Sequence, residues 1–323
     1  MIFVLIGILS LLILLLILFN LFPSIGLKNK WLFTAPIYSV SALSYIFLMS
    51  CIIQPNLHFY RELIFKWLPI NTSYLQLSFS INNQILILFA AFSTIFALKT
   101  LFNHKDEYNL SSEKSHLSMI HQNNIIYGFF ISGLVLLFSN SLFLFFVSQL
   151  ILSGVIVYQH VYSISNSDRP SDGSLHFIWL IVFDLLFFLA ILCINSEIKS
   201  LSITDIQRAI QNGDFSSNIH TISGFLIIFS IIGKTAQIPF HKWFIADAQS
   251  QQSAPISNFS IEIITISMIL LLKLESLLSP NMMSFLLFFG FLSSILAVIS
   301  SIVNTQKSLT MKYLLITQSG IFL

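Results

Sequence analysis

Phe225-Leu226-Ile227-Ile228-Phe229-Ser230-Ile231-Ile232-Gly233-Lys234-Thr235-Ala236-Gln237-Ile238-Pro239 puts one ammonium group at the end of an apolar run, with a proline just beyond it. The run reads as a helix in hydrocarbon that is about to break, because Pro239 cannot donate to the carbonyl of Thr235. Backbone groups freed at that depth need water or polar side chains, and such breaks line cavities.

The rest of the chain supports a membrane solvent. Apolar side chains make up 56% of the 323 residues, aromatic ones 14% and charged ones only 9%, and the mean hydropathy is +0.87. A soluble surface needs roughly a quarter to a third of its residues charged. The net charge is +2 and the basic residues are scattered singly, which excludes a nucleic-acid-binding surface. Cys51 and Cys193 lie in apolar runs without metal-ligand spacing, so they suggest neither a metal site nor a disulfide framework. Met1-Ile2-Phe3-Val4-Leu5 opens an apolar stretch running to Pro23 with no basic region before it, and it is read as a retained first span. No Arg- and Ser-rich leader follows, and the Phe, Ile and Asn bias fits an organelle-encoded protein.

Apolar runs long enough for a bilayer lie near 1–22, 31–54, 82–103, 124–139, 141–163, 175–195, 220–238, 256–277 and 282–303, and a shorter one starts near Ser308. The expected fold is therefore all-α, a polytopic transmembrane helical bundle of about ten spans with a discontinuous seventh helix. Asn140, between Ser139 and Ser141, divides 124–163 into a tight helical hairpin. Loops are expected at 55–81, 104–123, 164–174 and 196–219, the last with a short surface helix around Ile203, Ile206 and Ile210.

Charges within apolar runs are functional candidates: Lys99, Asp184, Lys234, Glu262 and Lys273. Lys99 and Lys273 lie near segment ends, where a long stem reaches the headgroups. Asp184 falls near the middle of its span and must be protonated or paired with a cation. Lys234 is either a proton-transfer group or half of a buried salt bridge that only fixes packing. After the break, His241, Lys242, Trp243, Asp247 and the polar run Gln249-Ser250-Gln251-Gln252-Ser253 read as an interfacial turn anchored by Trp243.

Gly233-Lys234-Thr235-Ala236-Gln237-Ile238-Pro239-Phe240-His241-Lys242-Trp243, with Ala246-Asp247-Ala248 and Pro255-Ile256-Ser257 after it, resembles a long motif of the antiporter-like subunits of respiratory complex I. The Gly-Lys-Thr-Ala-Gln form looks most like subunit 5. Only this motif is specific; the 124–163 hairpin, Asp184, Ile203-Thr204-Asp205-Ile206 and Gln318-Ser319-Gly320 agree in order and spacing.

The resemblance implies a proton-translocating subunit of NADH:ubiquinone oxidoreductase, in which Lys234 is the central lysine and Asp184 its acidic neighbour. Gln149, His241 and Glu262 are further candidate positions on the proton pathway. Gln149 departs from the family pattern, which has a glutamate there, and Glu262 falls one place beyond the family's ionisable position at Ile261. No cofactor is expected in this chain; NADH, FMN, iron-sulfur clusters and ubiquinone belong to partner subunits. Residues 1–103 would be N-terminal spans, 124–277 the first antiporter-like repeat and 282–323 the start of an inverted second one. A second polypeptide is expected to complete that repeat. The implied partners are other membrane-arm subunits and lipids, and the implied location is the mitochondrial inner membrane. Subunit 2 of complex I, a cation/proton antiporter subunit, and a structural subunit that has lost transport are the alternatives.

Overall fold

The computed structural model describes residues 30–53, 61–70, 73–81, 83–106, 113–165, 174–245 and 260–323. The expected first span at 1–22, the turn at Asp247 with its polar run, and the motif's end at Pro255-Ile256-Ser257 lie outside the described residues. The chain divides into two compact units, Met1–Ile64 with Ser78–Ser139, and Phe65–Leu77 with Asn140–Leu323.

The first unit holds helices α1 (Lys30–Ile53), α2 (Asn83–Asp106) and α3 (Glu113–Phe138). Small polar residues let α1 and α2 meet: the buried hydroxyls of Ser44 and Ser93 hydrogen-bond each other at 2.8 Å, which satisfies both in an apolar setting. Phe92 of α2 stacks on Phe130 of α3 with centroids 5.8 Å apart. Helix α3 begins at Glu113, well before the apolar run at 124, because the polar residues ahead of that run continue the helix.

The segment expected as a loop at 55–81 instead contains a two-stranded hairpin, β1 (Arg61–Ile70) and β2 (Ser73–Ile81). The cause is visible in β2, where Leu75, Leu77, Phe79 and Ile81 alternate with Gln76, Ser78 and Ser80, the period of a strand. The all-α expectation is corrected to that extent.

The second unit holds α4 (Leu142–Ser165), α5 (Ser174–Ile198), α6 (Ile203–Asn212), α7 (Ser217–Lys234), α8 (Ser260–Leu274), α9 (Pro280–Val303) and α10 (Lys307–Phe322). Helices α3 and α4 are separate, as Asn140 between two serines predicts. The Asn140 carbonyl accepts from Ile203 N at 2.9 Å, and Leu142 N donates to the Leu201 carbonyl at 2.9 Å, which ties the start of α4 to the entry of α6. Helix α6 is the short helix expected around Ile203, Ile206 and Ile210, with Ile203 and Ile206 buried and Gly213 in a left-handed cap at φ 77°. The Glu197 carboxylate accepts from Ser216 N at 3.1 Å and Ser216 Oγ at 2.6 Å, capping the start of α7.

Helices α9 and α10 cross at a pair of glycines, where a Cβ on Gly320 would lie 2.7 Å from the Gly290 carbonyl oxygen. Such close approach substitutes for a hydrophobic driving force, which lipid does not supply. Among the described residues, four helices have the length and hydropathy to cross a membrane: Leu142–Gln159 in α4, Ile178–Ile198 in α5, α7, and α9. Helix α9 exposes Phe288, Phe291, Ile302 and Val303, a face suited to lipid.

Candidate functional site

Helices α4, α5 and α7 converge on one buried ion pair. Lys234 Nζ lies 2.8 Å from Asp184 Oδ1, and the two residues are 1% and 3% exposed. Ser153 of α4 joins both, donating to Asp184 Oδ2 at 2.6 Å and accepting a hydrogen bond from Lys234 Nζ. The pair can form because Gly233 has no side chain: a Cβ there would run into the ring of Phe183, the residue before Asp184. Two charges taken out of water cost several kcal/mol each, and good geometry with extra hydrogen bonds is what offsets that cost.

Lys234 is the last residue of α7, so the helix ends before Pro239 rather than at it. The reason is a hydrogen-bonded stop. Ala236 adopts a left-handed conformation at φ 56°, Ala236 N donates to the Gly233 carbonyl at 3.2 Å, and Gln237 N donates to the Ile232 carbonyl at 3.1 Å. These are the two bonds of a Schellman cap. Turns follow to His241, and residues 242–245 are helical again.

Side chains of α9, of α10 and of the break itself satisfy the backbone groups that the end of α7 leaves open. The Thr235 carbonyl accepts from Gln237 Nε2 at 3.2 Å and from Ser319 Oγ of α10 at 3.3 Å. Ile238 N donates to Ser293 Oγ of α9 at 2.9 Å. Trp243 Nε1 donates to the Gly233 carbonyl at 3.1 Å, and Lys312 Nζ of α10 donates to the Phe244 carbonyl at 2.6 Å. Trp243 is 2% exposed, which corrects its expected role as an interfacial anchor: its indole N–H is used inside the protein.

Gln149 lies one turn before Ser153 on α4, on the same face. It is fully buried, and neither atom of its amide has a hydrogen-bond partner among the described residues. Ser230 repeats this one turn before Lys234 on α7: its hydroxyl is buried and unpartnered among the described residues. Buried polar groups are normally satisfied, by ordered water where protein does not do it. His241 is placed against Tyr313 of α10, with ring centroids 5.7 Å apart, and not with the ion pair. Glu262 is the third residue of α8, and its side chain lies outside the described residues.

Ser153, Ser293 and Lys312 have no place in the sequence reading, and Ser319 enters it only within Gln318-Ser319-Gly320. A serine in an apolar helix is too common to single out, but Lys312 inside the tenth apolar run meets the rule that found Lys234.

Residues 139–323, more than half of the chain, match the family described as NADH:quinone oxidoreductase/Mrp antiporter, TM. No curated protein matches the chain. Among solved structures, one chain of the Mrp complex from Dietzia sp. DQ12-45-1b superposes with a TM-score of 0.76 at 14% identity, covering 98% of this chain and 33% of that one. A chain of the membrane-bound sulfane sulfur reductase, an archaeal respiratory membrane complex, superposes with a TM-score of 0.72 at 14% identity, covering 98% and 63%. The chain thus spans about a third of the first and under two thirds of the second, and at that identity the likeness shows the fold. With the family match running from the start of α4 to the end of α10, the chain belongs to the NADH:quinone oxidoreductase/Mrp antiporter family of transmembrane proteins.

Proposed function

We propose that this chain is a proton-translocating membrane-arm subunit of respiratory complex I, of the subunit 5 type, working in the mitochondrial inner membrane. The observation that carries the reading is the buried Lys234–Asp184 pair, bridged by Ser153, at the end of a broken apolar helix. Lys234 gives a proton to the Ser153 oxygen while Ser153 gives its own to Asp184 Oδ2. The ammonium becomes an amine and the carboxylate an acid, so two charges vanish together and the net charge is unchanged. Charge arriving from a neighbouring subunit tips the balance between these two states, since such interactions are strong where water is excluded.

Water held at Gln149 and Ser230 would connect the pair to the aqueous phases, with His241 and Glu262 as further positions on the pathway. NADH oxidation and quinone reduction, with FMN, iron-sulfur clusters and ubiquinone, take place in partner subunits on this reading. Residues 124–277 form the first repeat and 282–323 open the second.

The test is Lys234→Ala in the assembled complex. Protons moved per electron should fall to background while the complex remains intact. Unchanged pumping would overturn the reading, and loss of assembly alone would favour a packing role for the pair. A second reading, a cation/proton antiporter subunit, is favoured by the fold match to the Mrp complex; it predicts cation-dependent proton movement in vesicles without NADH or quinone.

A further inference from the structure

A second lysine is buried at the far end of the break. Lys312 of α10 is 2% exposed, its Nζ donates to the Phe244 carbonyl at 2.6 Å, and it lies 5.3 Å from the centroid of the Phe244 ring. A charged donor on a buried carbonyl, facing an aromatic ring, is among the stronger single contacts a side chain makes. Phe244 follows Trp243, whose indole N–H holds the Gly233 carbonyl. One short link therefore joins the residue before Lys234 to Lys312.

Ser319 lies about two turns beyond Lys312, on the same face of α10; its hydroxyl accepts from Gln237 Nε2 at 2.8 Å and has the Ile316 and Thr235 carbonyls as acceptors at 2.9 and 3.3 Å. The two side chains hold the two ends of the break, Thr235 next to Lys234 and Phe244 at the far side. A helix end is the part of a helix most prone to fray, and Lys234 stands at one. A misplacement of about 1 Å at a reacting group costs roughly a hundredfold in rate.

We propose that Lys312 is a positioning residue for Lys234. It clamps Phe244 to α10 and, through Trp243 and the Gly233 carbonyl, keeps the Lys234 ammonium in register with Ser153 and Asp184. This role rests on the proton-transfer reading of the pair.

The test uses the assembled complex. Lys312→Met keeps the stem and removes the donor, and should lower proton transport per turnover about tenfold, the loss expected for one hydrogen bond to a charged group. Lys312→Arg keeps charge and donors and should restore most of it. Combining Lys312→Met with Trp243→Phe should cost no more than the worse single change, because both cut the same link, whereas independent packing defects would multiply. Wild-type transport in an assembled Lys312→Met complex, or multiplying losses, overturns the proposal. If Lys312→Met does not assemble, full transport in Trp243→Phe overturns it. Lys234→Ala in the same assay separates the two failures: if it too transports normally, the proton-transfer reading has failed, and otherwise only the link has.

Discussion

The Lys234 ammonium group meets Asp184 Oδ1 at 2.8 Å and the Ser153 hydroxyl. The hydroxyl is the part with a specific chemical consequence, since an ion pair alone can fix packing, whereas a group that accepts from one ion and donates to the other gives a proton a route. Ser153→Ala leaves the ion pair in place and removes that route. Proton transport should fall about tenfold, the scale of a hydrogen bond to a charged group, while Ser153→Thr keeps most of it. An assembled Ser153→Ala complex pumping at the wild-type rate would show that the hydroxyl relays nothing. Asp184 and Lys234 were legible from sequence because a charge in an apolar run is costly wherever its partner lies. Ser153 was not, since a hydroxyl in such a run can satisfy itself on its own helix, as Ser132 does on the Phe129 carbonyl at 2.9 Å.

Among the elements, the end of α7 decides most. The sequence points to Pro239 as the breaker, but the helix stops at Lys234, because Ala236 turns left-handed and closes a capped end first. A left-handed alanine costs roughly 1–2 kcal/mol, which glycine avoids at a smaller entropic cost. Ala236→Gly should therefore raise stability by roughly 0.5–1 kcal/mol, read as a higher midpoint of thermal unfolding in detergent. A lower midpoint would mean that the turn is held by something other than this cap. The hairpin at 61–81 was missed although the alternation in β2 is plain in the sequence. A search for bilayer-length apolar runs passes over a run with a period of two.

For the whole molecule, the solved chains of similar fold carry length that this chain does not cover, 33% and 63% of them being matched. The proposed reading assigns that length to a second polypeptide, and intact mass of the subunit isolated from its complex checks it: near 36.7 kDa with a co-purifying hydrophobic partner is expected, and a much larger mass overturns it. The sequence by itself determined the membrane solvent, most helix positions, and Asp184 and Lys234 as buried charges, because transfer into hydrocarbon is decided residue by residue and run by run. The resemblance implies Asp184 beside Lys234, but only the tertiary structure brings Ser153 between them and Lys312 to the far end of the break. Ser153 reaches Asp184 across 31 residues of sequence and Lys234 across 81, and Lys312 reaches Phe244 across 68. Contacts at such separations depend on which helices pack and how closely, and the glycines at 233, 290 and 320 permit the close approaches here.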